Sequence, residues 1–175
     1  MNGKLIGGVI VASAALAGAV LYYLQVYAFY YEPDPQPGRD VMLVAQDGGD
    51  PEPIAYGDFR AITADSSPIR YRACFTTSAD PAALGAAYKA APGHDPRNAP
   101  GWFDCFDAGE IAAGIADGSV QVFLGTKNIA YGVDRIVAVA RDGRGWAWHD
   151  LNDCGKKAYD GTVTGEACPP RPAGE

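Results

Sequence analysis

The chain has 175 residues, with 21 acidic and 14 basic side chains and a formal net charge of −7. This surplus of negative charge excludes a nucleic-acid-binding protein, because phosphates are recognised by a basic face. Removing Lys4, which precedes a long apolar run, leaves −8 for the remainder. Such a surface is not expected to bind anionic lipid headgroups. It suits a basic partner protein, and the favoured alternative is that the acidity only keeps the domain soluble.

Residues 5–31 contain no charged side chain and predict a transmembrane helix. About 20 helical residues cross the hydrocarbon core of a bilayer, and this run is longer. Lys4 precedes the run and acidic residues follow it, so the positive-inside rule places residues 1–4 in the cytoplasm and the rest outside. We therefore expect a single-pass membrane protein whose domain lies outside the cytoplasm.

A cleaved signal peptide is the alternative to an anchor. Ala-x-Ala patterns, which are typical of cleavage sites, occur at residues 15–17 and 17–19. Cleavage there would leave an apolar and aromatic tail at the start of the mature chain, and this favours the uncleaved anchor.

Aromatic residues are concentrated at the end of the apolar run. A ring with a polar group is typical of the boundary between hydrocarbon and headgroups, because the ring stays in the apolar layer while the hydroxyl reaches water. The residues predicted to lie at this membrane interface are Tyr22, Tyr23, Tyr27, Phe29, Tyr30 and Tyr31.

One face of the predicted helix carries small residues at helical spacing, namely Gly8, Ala12, Ala15 and Ala19. A small-residue face lets two helix backbones approach closely in lipid, so it predicts packing against a membrane-protein partner. Alanine and glycine are also common in spanning helices without this role, and contact with lipid alone is the alternative.

A proline-rich linker over residues 32–40 follows the helix. Alternating prolines favour an extended backbone, which would hold a domain away from the membrane surface. Residues 41–168 are long enough for one folded domain, and residues 169–175 form a proline-rich tail.

The four cysteines all follow the apolar run and are Cys74, Cys105, Cys154 and Cys168. An even number in an exported domain predicts two disulfides. Of the possible connectivities, Cys74–Cys105 and Cys154–Cys168 are favoured because each pair is closer in sequence. The cysteine and histidine spacings typical of zinc or covalently bound haem do not occur, so the sequence predicts no metal and no cofactor.

The apolar patterns of the domain predict a small α+β fold that is mainly antiparallel. The predicted strands cover 41–45, 54–63, 67–77, 119–125 and the hairpin 135–151. The hairpin turns at Asp142-Gly143, a sequence typical of tight turns. Two short helices are predicted, over 78–91 with Asp80 as N-cap and over 106–118 with Asp107 as N-cap.

Candidate residues for chemistry are few. His149 lies near Asp150 and Asp153, as a general base can, but no nucleophile motif accompanies it. The sequence therefore predicts no catalytic residue, and His94, in a loop rich in proline and glycine, is expected to be solvated. A further group of residues forms either core or a ligand pocket: Trp102, Phe103, Phe106, Trp146 and His149.

Several blocks of the chain resemble an uncharacterised family of short single-span envelope proteins from alphaproteobacteria related to Rhodobacter and Paracoccus. The blocks are MNGK, YYLQVYAFYY, the run over residues 65–77 that includes PIRYRACFTT, APGWFDCFDA, FLGTKNIAYGVDRIVAV and WAWHDLNDCG. The resemblance covers most of the chain except the linker and the tail. It implies a domain of unknown function and carries over no catalytic residue.

Two functions follow as expectations. The first is a non-enzymatic inner-membrane protein that serves as an accessory or assembly subunit of a larger envelope complex, for example a respiratory one. The second is a periplasmic ligand-binding or sensing module anchored to the membrane.

Overall fold

The computed structural model describes residues 2–161 and 168–172. It begins with helix α1 (Gly3–Tyr23), which continues as a π-helical turn over Leu24–Ala28. Every residue of α1 is exposed. The segment Gly3–Ala28 contains a window of mean hydropathy 2.2 and is long and apolar enough to span a membrane. The predicted helical boundary at residue 31 is too late, because the chain joins the domain directly after Ala28.

Seven strands are described in the domain: β1 (Met42–Leu43), β2 (Glu52–Pro53), β3 (Gly57–Ile62), β4 (Arg72–Thr76), β5 (Val120–Ala130), β6 (Val133–Ala140) and β7 (Arg144–Leu151). Five of them form one sheet in the order β3-β4-β7-β6-β5, and β1 pairs with β2. Every pairing is antiparallel, as the sequence predicted.

The described part of the domain also contains three helices: α2 (Pro81–Ala87), α3 (Ala108–Asp117) and α4 (Asp153–Asp160). Asp80 and Asp107 cap α2 and α3 by accepting hydrogen bonds from first-turn amides, as predicted. The prediction of only two helices in the domain was wrong. Asn152 caps α4 by accepting a hydrogen bond from the Gly155 amide, and the helix ends at Gly161 with φ 78°.

The sheet contains two adjacent hairpins where the sequence predicted one. The hairpin between β6 and β7 turns at Asp142-Gly143, as expected, with Gly143 at φ 89°. The strand predicted over 119–125 extends to Ala130 and turns through Gly132 into β6. Register shifts interrupt this longer strand, so apolar and polar residues do not alternate regularly along its sequence.

Two predicted strands begin later than expected. The segment predicted over 67–77 starts as a 3₁₀ turn, Pro68–Arg70, and only then continues into β4. The segment predicted over 54–63 becomes extended sheet at Gly57, and its pairing is irregular up to Arg60. Asp58 has φ 48° within this irregularity.

The five-stranded sheet is covered on both faces. One face packs against the loop before α3 and against α3 itself, with a core that includes Phe103, Phe106, Ile111, Ile136, Trp146 and Trp148. The other face packs against β1 and α2, with a core that includes Leu43, Tyr71, Phe75, Leu84, Phe123 and Val137. The central strands are therefore apolar on both sides, as a buried sheet requires.

One disulfide connects the sheet to the loop before α3, and a second connects α4 to the tail. Cys74 in β4 bonds to Cys105 in the loop before α3. Cys154 in α4 bonds to Cys168, so the tail begins at a residue that is attached to α4. This is the pairing that the sequence favoured.

The segment 32–40 is attached to the domain at both ends. Its start is fixed because Tyr31 pairs with Thr63 as an antiparallel bridge. Its end is fixed because the Asp40 carboxylate accepts hydrogen bonds from the Tyr56 hydroxyl and the Gln36 amide, both at 2.6 Å. Because the prolines lie between two attached ends, their extended backbone does not add a free connection between the helix and the domain.

Candidate functional site

The end of the apolar helix is bonded to the domain at a helix–domain junction, formed by Gln25, Val26, Tyr31, Arg70 and Trp102. The Trp102 indole Nε1 donates a hydrogen bond to the Val26 carbonyl oxygen at 2.7 Å. Arg70 Nη2 donates to the Gln25 side-chain oxygen at 2.5 Å. Carbonyl groups at a helix end lack intrahelical partners, so the indole satisfies a group that would otherwise need water. The junction therefore replaces solvent at the helix end with groups from the domain.

The chain after the helix is also attached. The backbones of Tyr31 and Thr63 exchange two hydrogen bonds, at 3.0 and 2.9 Å. The Tyr31 hydroxyl donates to Asp65 at 2.8 Å. Since Thr63 directly follows β3, the first extended residue after the helix adds to the edge of the sheet.

Aromatic rings fill the space around the junction. The Trp102 ring stacks on Tyr27 at a centroid distance of 6.4 Å and meets Tyr30 edge-on at 6.1 Å. The Arg70 guanidinium lies 5.5 Å from the centroid of the Tyr30 ring, a cation–π contact. Tyr27, Tyr30 and Tyr31 thus contact the domain, although Tyr27 and Tyr31 stay partly open to solvent. Tyr22, Tyr23 and Phe29 are exposed as well.

His149, the candidate general base, is buried in structural contacts. Its Nδ1 lies 2.6 Å from the Pro68 carbonyl oxygen, and its Nε2 accepts a hydrogen bond from Arg135 Nε at 3.1 Å. These partners require a neutral ring with the proton on Nδ1. Burial, assisted by the Arg135 charge, lowers the pKa of His149 to about 3. Its ring stacks on Tyr71 at 4.5 Å, so it packs the interior beside β4.

Asp150 points to the opposite side of β7 and binds two side chains from the loop before α3. Arg97 donates to one carboxylate oxygen through Nε and Nη2, at 2.9 and 2.6 Å. His94 Nδ1 lies 3.0 Å from the other oxygen. The expectation that His94 is solvated was wrong, because only 19 % of its side chain is exposed. Burial opposes ionisation of Asp150, but the bonds from His94 and Arg97 hold its pKa below the usual range.

Arg72 connects the same loop to the sheet. It is 4 % exposed, and its guanidinium donates to four backbone carbonyl oxygens. Two of these, Arg97 and Asn98, lie in the loop. Burial lowers the pKa of Arg72 to about 10, so the side chain stays charged at neutral pH and holds the loop with charge-assisted bonds.

The aromatic residues considered as a ligand pocket fill the core or the junction. Phe103, Phe106 and Trp146 are 2–4 % exposed and pack on one face of the sheet. The Trp146 indole donates to the Cys105 carbonyl oxygen at 3.1 Å, next to the disulfide. Trp102 binds the helix end and His149 lies on the other side of the sheet, so the five residues do not form one pocket. The core alternative holds for Phe103, Phe106 and Trp146.

Comparison with known families identifies the domain. The model of a family described as "Family of unknown function (DUF6446)" matches residues 41–169. The chain belongs to DUF6446. The resemblance to an uncharacterised domain family is thereby confirmed. No curated protein and no solved structure matches the chain.

The DUF6446 match begins after the helix and the proline-rich segment, so α1 lies outside it. Residues of the matched region nevertheless hold the helix, since Arg70 and Trp102 both lie within residues 41–169. The small-residue face of Gly8, Ala12, Ala15 and Ala19 is exposed along its length. A side chain built at Gly8 would meet no other atom of the described chain within 4 Å.

The junction of this DUF6446 protein was not predicted from the sequence. Its bonds join residues 45 and 76 positions apart, and no local pattern relates such positions. One signal was present: Gln25 is a polar amide within the apolar run, and a polar side chain in a spanning segment usually has a partner. Arg72 gave no signal, because its alternation with apolar neighbours is also typical of a solvent-facing strand residue.

Proposed function

We propose that this DUF6446 protein is a non-enzymatic, single-span protein of the bacterial inner membrane and an accessory or assembly subunit of a larger envelope complex. The observation that carries the proposal is the hydrogen bond from the Trp102 indole to the Val26 carbonyl oxygen, because it attaches the domain to the end of the apolar helix. A domain attached in this way keeps one orientation relative to the helix. A subunit of an assembly needs such an orientation, whereas a freely tethered enzyme does not.

The polar groups best suited to acid–base chemistry support a structural role. His149 is neutral and engaged at both ring nitrogens. Asp150 is used to hold the loop that carries His94 and Arg97. Both residues therefore stabilise the fold with the atoms that catalysis would require.

Two features support a periplasmic domain. Disulfides persist in the oxidising periplasm and are rare in the cytoplasm, and the domain has two. Lys4 precedes the apolar helix, and a basic residue favours the cytoplasmic side.

The small-residue face supports docking in the membrane. Ala12 and Ala15 are exposed on α1, so a partner helix could approach them without displacing any described residue of this chain. Close backbone approach is the main source of helix association in lipid, where apolar burial gives no driving force.

A second contact, outside the membrane, is supported by the charge of the domain. The strand ends opposite the junction carry exposed carboxylates, including Asp58 and Asp117. The Arg144 side chain at this end is already paired with Glu110 and Asp142. An acidic end of this kind attracts a basic periplasmic protein.

The docking proposal is tested by purifying the tagged full-length protein in a mild detergent and identifying what co-purifies. The test variant is Ala12→Leu with Ala15→Leu, and the control is Ala14→Leu with Ala17→Leu. The two variants add the same volume at the same spacing, on different faces of α1. We expect one stoichiometric membrane protein to be lost from the test variant and kept by the control.

Equal loss from both variants would mean that bulk in the helix, rather than the small-residue face, decides association. If nothing co-purifies with the wild-type protein, the accessory-subunit proposal fails. A second copy of the same chain as the sole partner would make the protein a homo-oligomer instead of a subunit of a larger complex.

A ligand-binding or sensing module is the second candidate, and a specific cavity favours it. An apolar groove of about 620 Å³ lies beside the helix–domain junction, and none of the aromatic residues considered from the sequence lines it.

A further inference from the structure

The groove lies between the β5–β6 turn, β7, α4 and the 3₁₀ turn before β4. Seven of its lining residues are apolar or aromatic: Pro68, Ile69, Tyr131, Val133, Leu151, Ala158 and Tyr159. Its volume of about 620 Å³ falls within the range of sites that hold small molecules. An adjoining cavity of about 480 Å³ shares Pro68 and Tyr131 with it and extends the groove towards Asp65.

The wall of the groove is continuous with the contacts that hold the helix end. Its wall, Pro68–Ile69, belongs to the same 3₁₀ turn as Arg70, whose side chain binds Gln25 of the helix. Asp65, at the edge of the adjoining cavity, accepts the hydrogen bond from the Tyr31 hydroxyl. If the helix spans a membrane, as proposed above, its last turn and this wall of the groove are at the level of the lipid headgroups.

Two guanidinium groups border the groove. Arg171 lies over the Tyr131 ring at 5.2 Å and is exposed. Arg97 keeps 42 % of its side chain exposed while it pairs with Asp150. Guanidinium groups bind phosphate with paired, charge-assisted hydrogen bonds. In a chain of net charge −7, these two cations beside an apolar groove are complementary to an anionic head on an apolar body.

The walls of the groove are held in place by close packing. Gly132 in the β5–β6 turn lies against Gly155 of α4, where a side chain on either residue would collide with the backbone of the other. The Asn152 amide also bonds to Asn128 and Asp134, at 2.8 and 2.7 Å. The groove is therefore formed before any ligand arrives, which lowers the cost of binding.

We propose that this groove binds one phospholipid with an anionic headgroup, taken from the membrane that the helix spans. The headgroup phosphate lies between Arg97 and Arg171, and the first part of an acyl chain lies on Pro68, Tyr131 and Leu151. This inference rests on the proposed membrane anchoring. The expectation that an acidic domain makes no contact with anionic lipid considers the charge of the whole domain, whereas the local charge at the groove comes from Arg97 and Arg171.

The test uses the full-length protein in mild detergent, titrated separately with dioleoylphosphatidylglycerol and dioleoylphosphatidylcholine and observed by native mass spectrometry. We expect a one-to-one adduct with the anionic lipid. Arg171→Gln should weaken this adduct about tenfold, since it removes charge-assisted bonds to phosphate. Ala158→Trp should remove the adduct because it fills the groove. Arg141→Gln, at the opposite ends of the strands, is the matched control and should bind as the wild type does.

Equal binding of both lipids would overturn the proposal, as would an unchanged adduct in Arg171→Gln. Thermal unfolding of each variant shows whether Ala158→Trp folds. If Ala158→Trp does not fold, Arg171→Gln alone tests the proposal. Sedimentation of membranes from cells that express the wild-type chain distinguishes a failure of the groove proposal from a failure of the anchor proposal. A wild-type chain that sediments with membranes but binds no lipid contradicts the groove alone, whereas a chain absent from the membranes contradicts the anchor and the groove together.

Discussion

His149 occupies a site that tolerates only the neutral ring. Its Nδ1 faces the Pro68 carbonyl oxygen, its Nε2 faces the Arg135 guanidinium, and its ring stacks on Tyr71. A protonated ring would place a second positive charge against Arg135 in a buried position. The folded pKa of about 3 therefore lies below the ordinary value of 6.5, and protons favour the unfolded chain.

Because the pKa of His149 is lower in the folded chain than in the unfolded chain, we expect the protein to lose stability in acid. The contribution of neutral His149 to stability is complete above pH 6.5, and it is lost as the pH falls from 6.5 towards 3. Between pH 7 and pH 5 the free energy of unfolding should fall by about 2 kcal/mol from this residue. The measurement is thermal unfolding of the full-length protein in mild detergent at both pH values. His149→Phe, which keeps a ring on Tyr71 but has no titrating nitrogen, should lose less stability over this range.

Nuclear magnetic resonance gives an independent check of the same residue. The imidazole signal of His149 should not titrate between pH 7 and pH 5. A titration midpoint near 6.5 would show that the ring is not buried as described.

At the scale of elements, the junction joins the π-helical turn to the domain through Trp102. Replacing Trp102 with Phe keeps most of the ring packing but removes the donor to the Val26 carbonyl oxygen. A lost hydrogen bond of this kind costs about 1 kcal/mol, so the Tyr31 amide should exchange with solvent about fivefold faster. Hydrogen exchange with mass spectrometry of residues 29–31 measures this, and Trp146→Phe, far from the helix, is the control. Equal exchange in both variants would mean that Trp102 does not fix the helix end.

The elements also show what the sequence can predict. The β6–β7 hairpin was found because Asp142-Gly143 separates two apolar runs, and α2 and α3 were found because Asp80 and Asp107 stand at good cap positions. Helix α4 was missed because it is short and mostly polar, with Lys156, Lys157 and most of its surface exposed. Its stability comes from the Asn152 network and the Cys154–Cys168 disulfide, which are tertiary contacts.

The candidate site was less predictable than the fold. The aromatic cluster around Trp102 could be recognised as important, but core, pocket and helix contact have the same composition. What distinguishes them is the position of Val26 relative to Trp102, and that position depends on how the whole sheet folds.

At the scale of the whole molecule, the proposed topology predicts two results. A reporter that is active only outside the cytoplasm should be active when fused after Glu175. Cysteines in an oxidising compartment form disulfides, so the exported protein should migrate differently on reducing and non-reducing gels. A cytoplasmic reporter signal or four free thiols in the exported chain would contradict this topology.

The pairing of Tyr31 with Thr63 has a consequence for how the sheet ends. The β5 edge is covered where the Ala91 amide bonds to the Val122 carbonyl oxygen and the Leu124 amide bonds to the Lys89 carbonyl oxygen.

At the end of the β3 edge, Thr63 is covered by Tyr31 of the chain that leaves the helix. A domain cut from the helix together with Tyr31 would lose that cover. Its Trp102 side chain would then be exposed beside backbone groups that have lost their hydrogen-bond partners. Uncovered edges pair with one another, so the isolated domain should aggregate where the intact, anchored chain does not. The anchor would then also prevent the domain that it carries from aggregating.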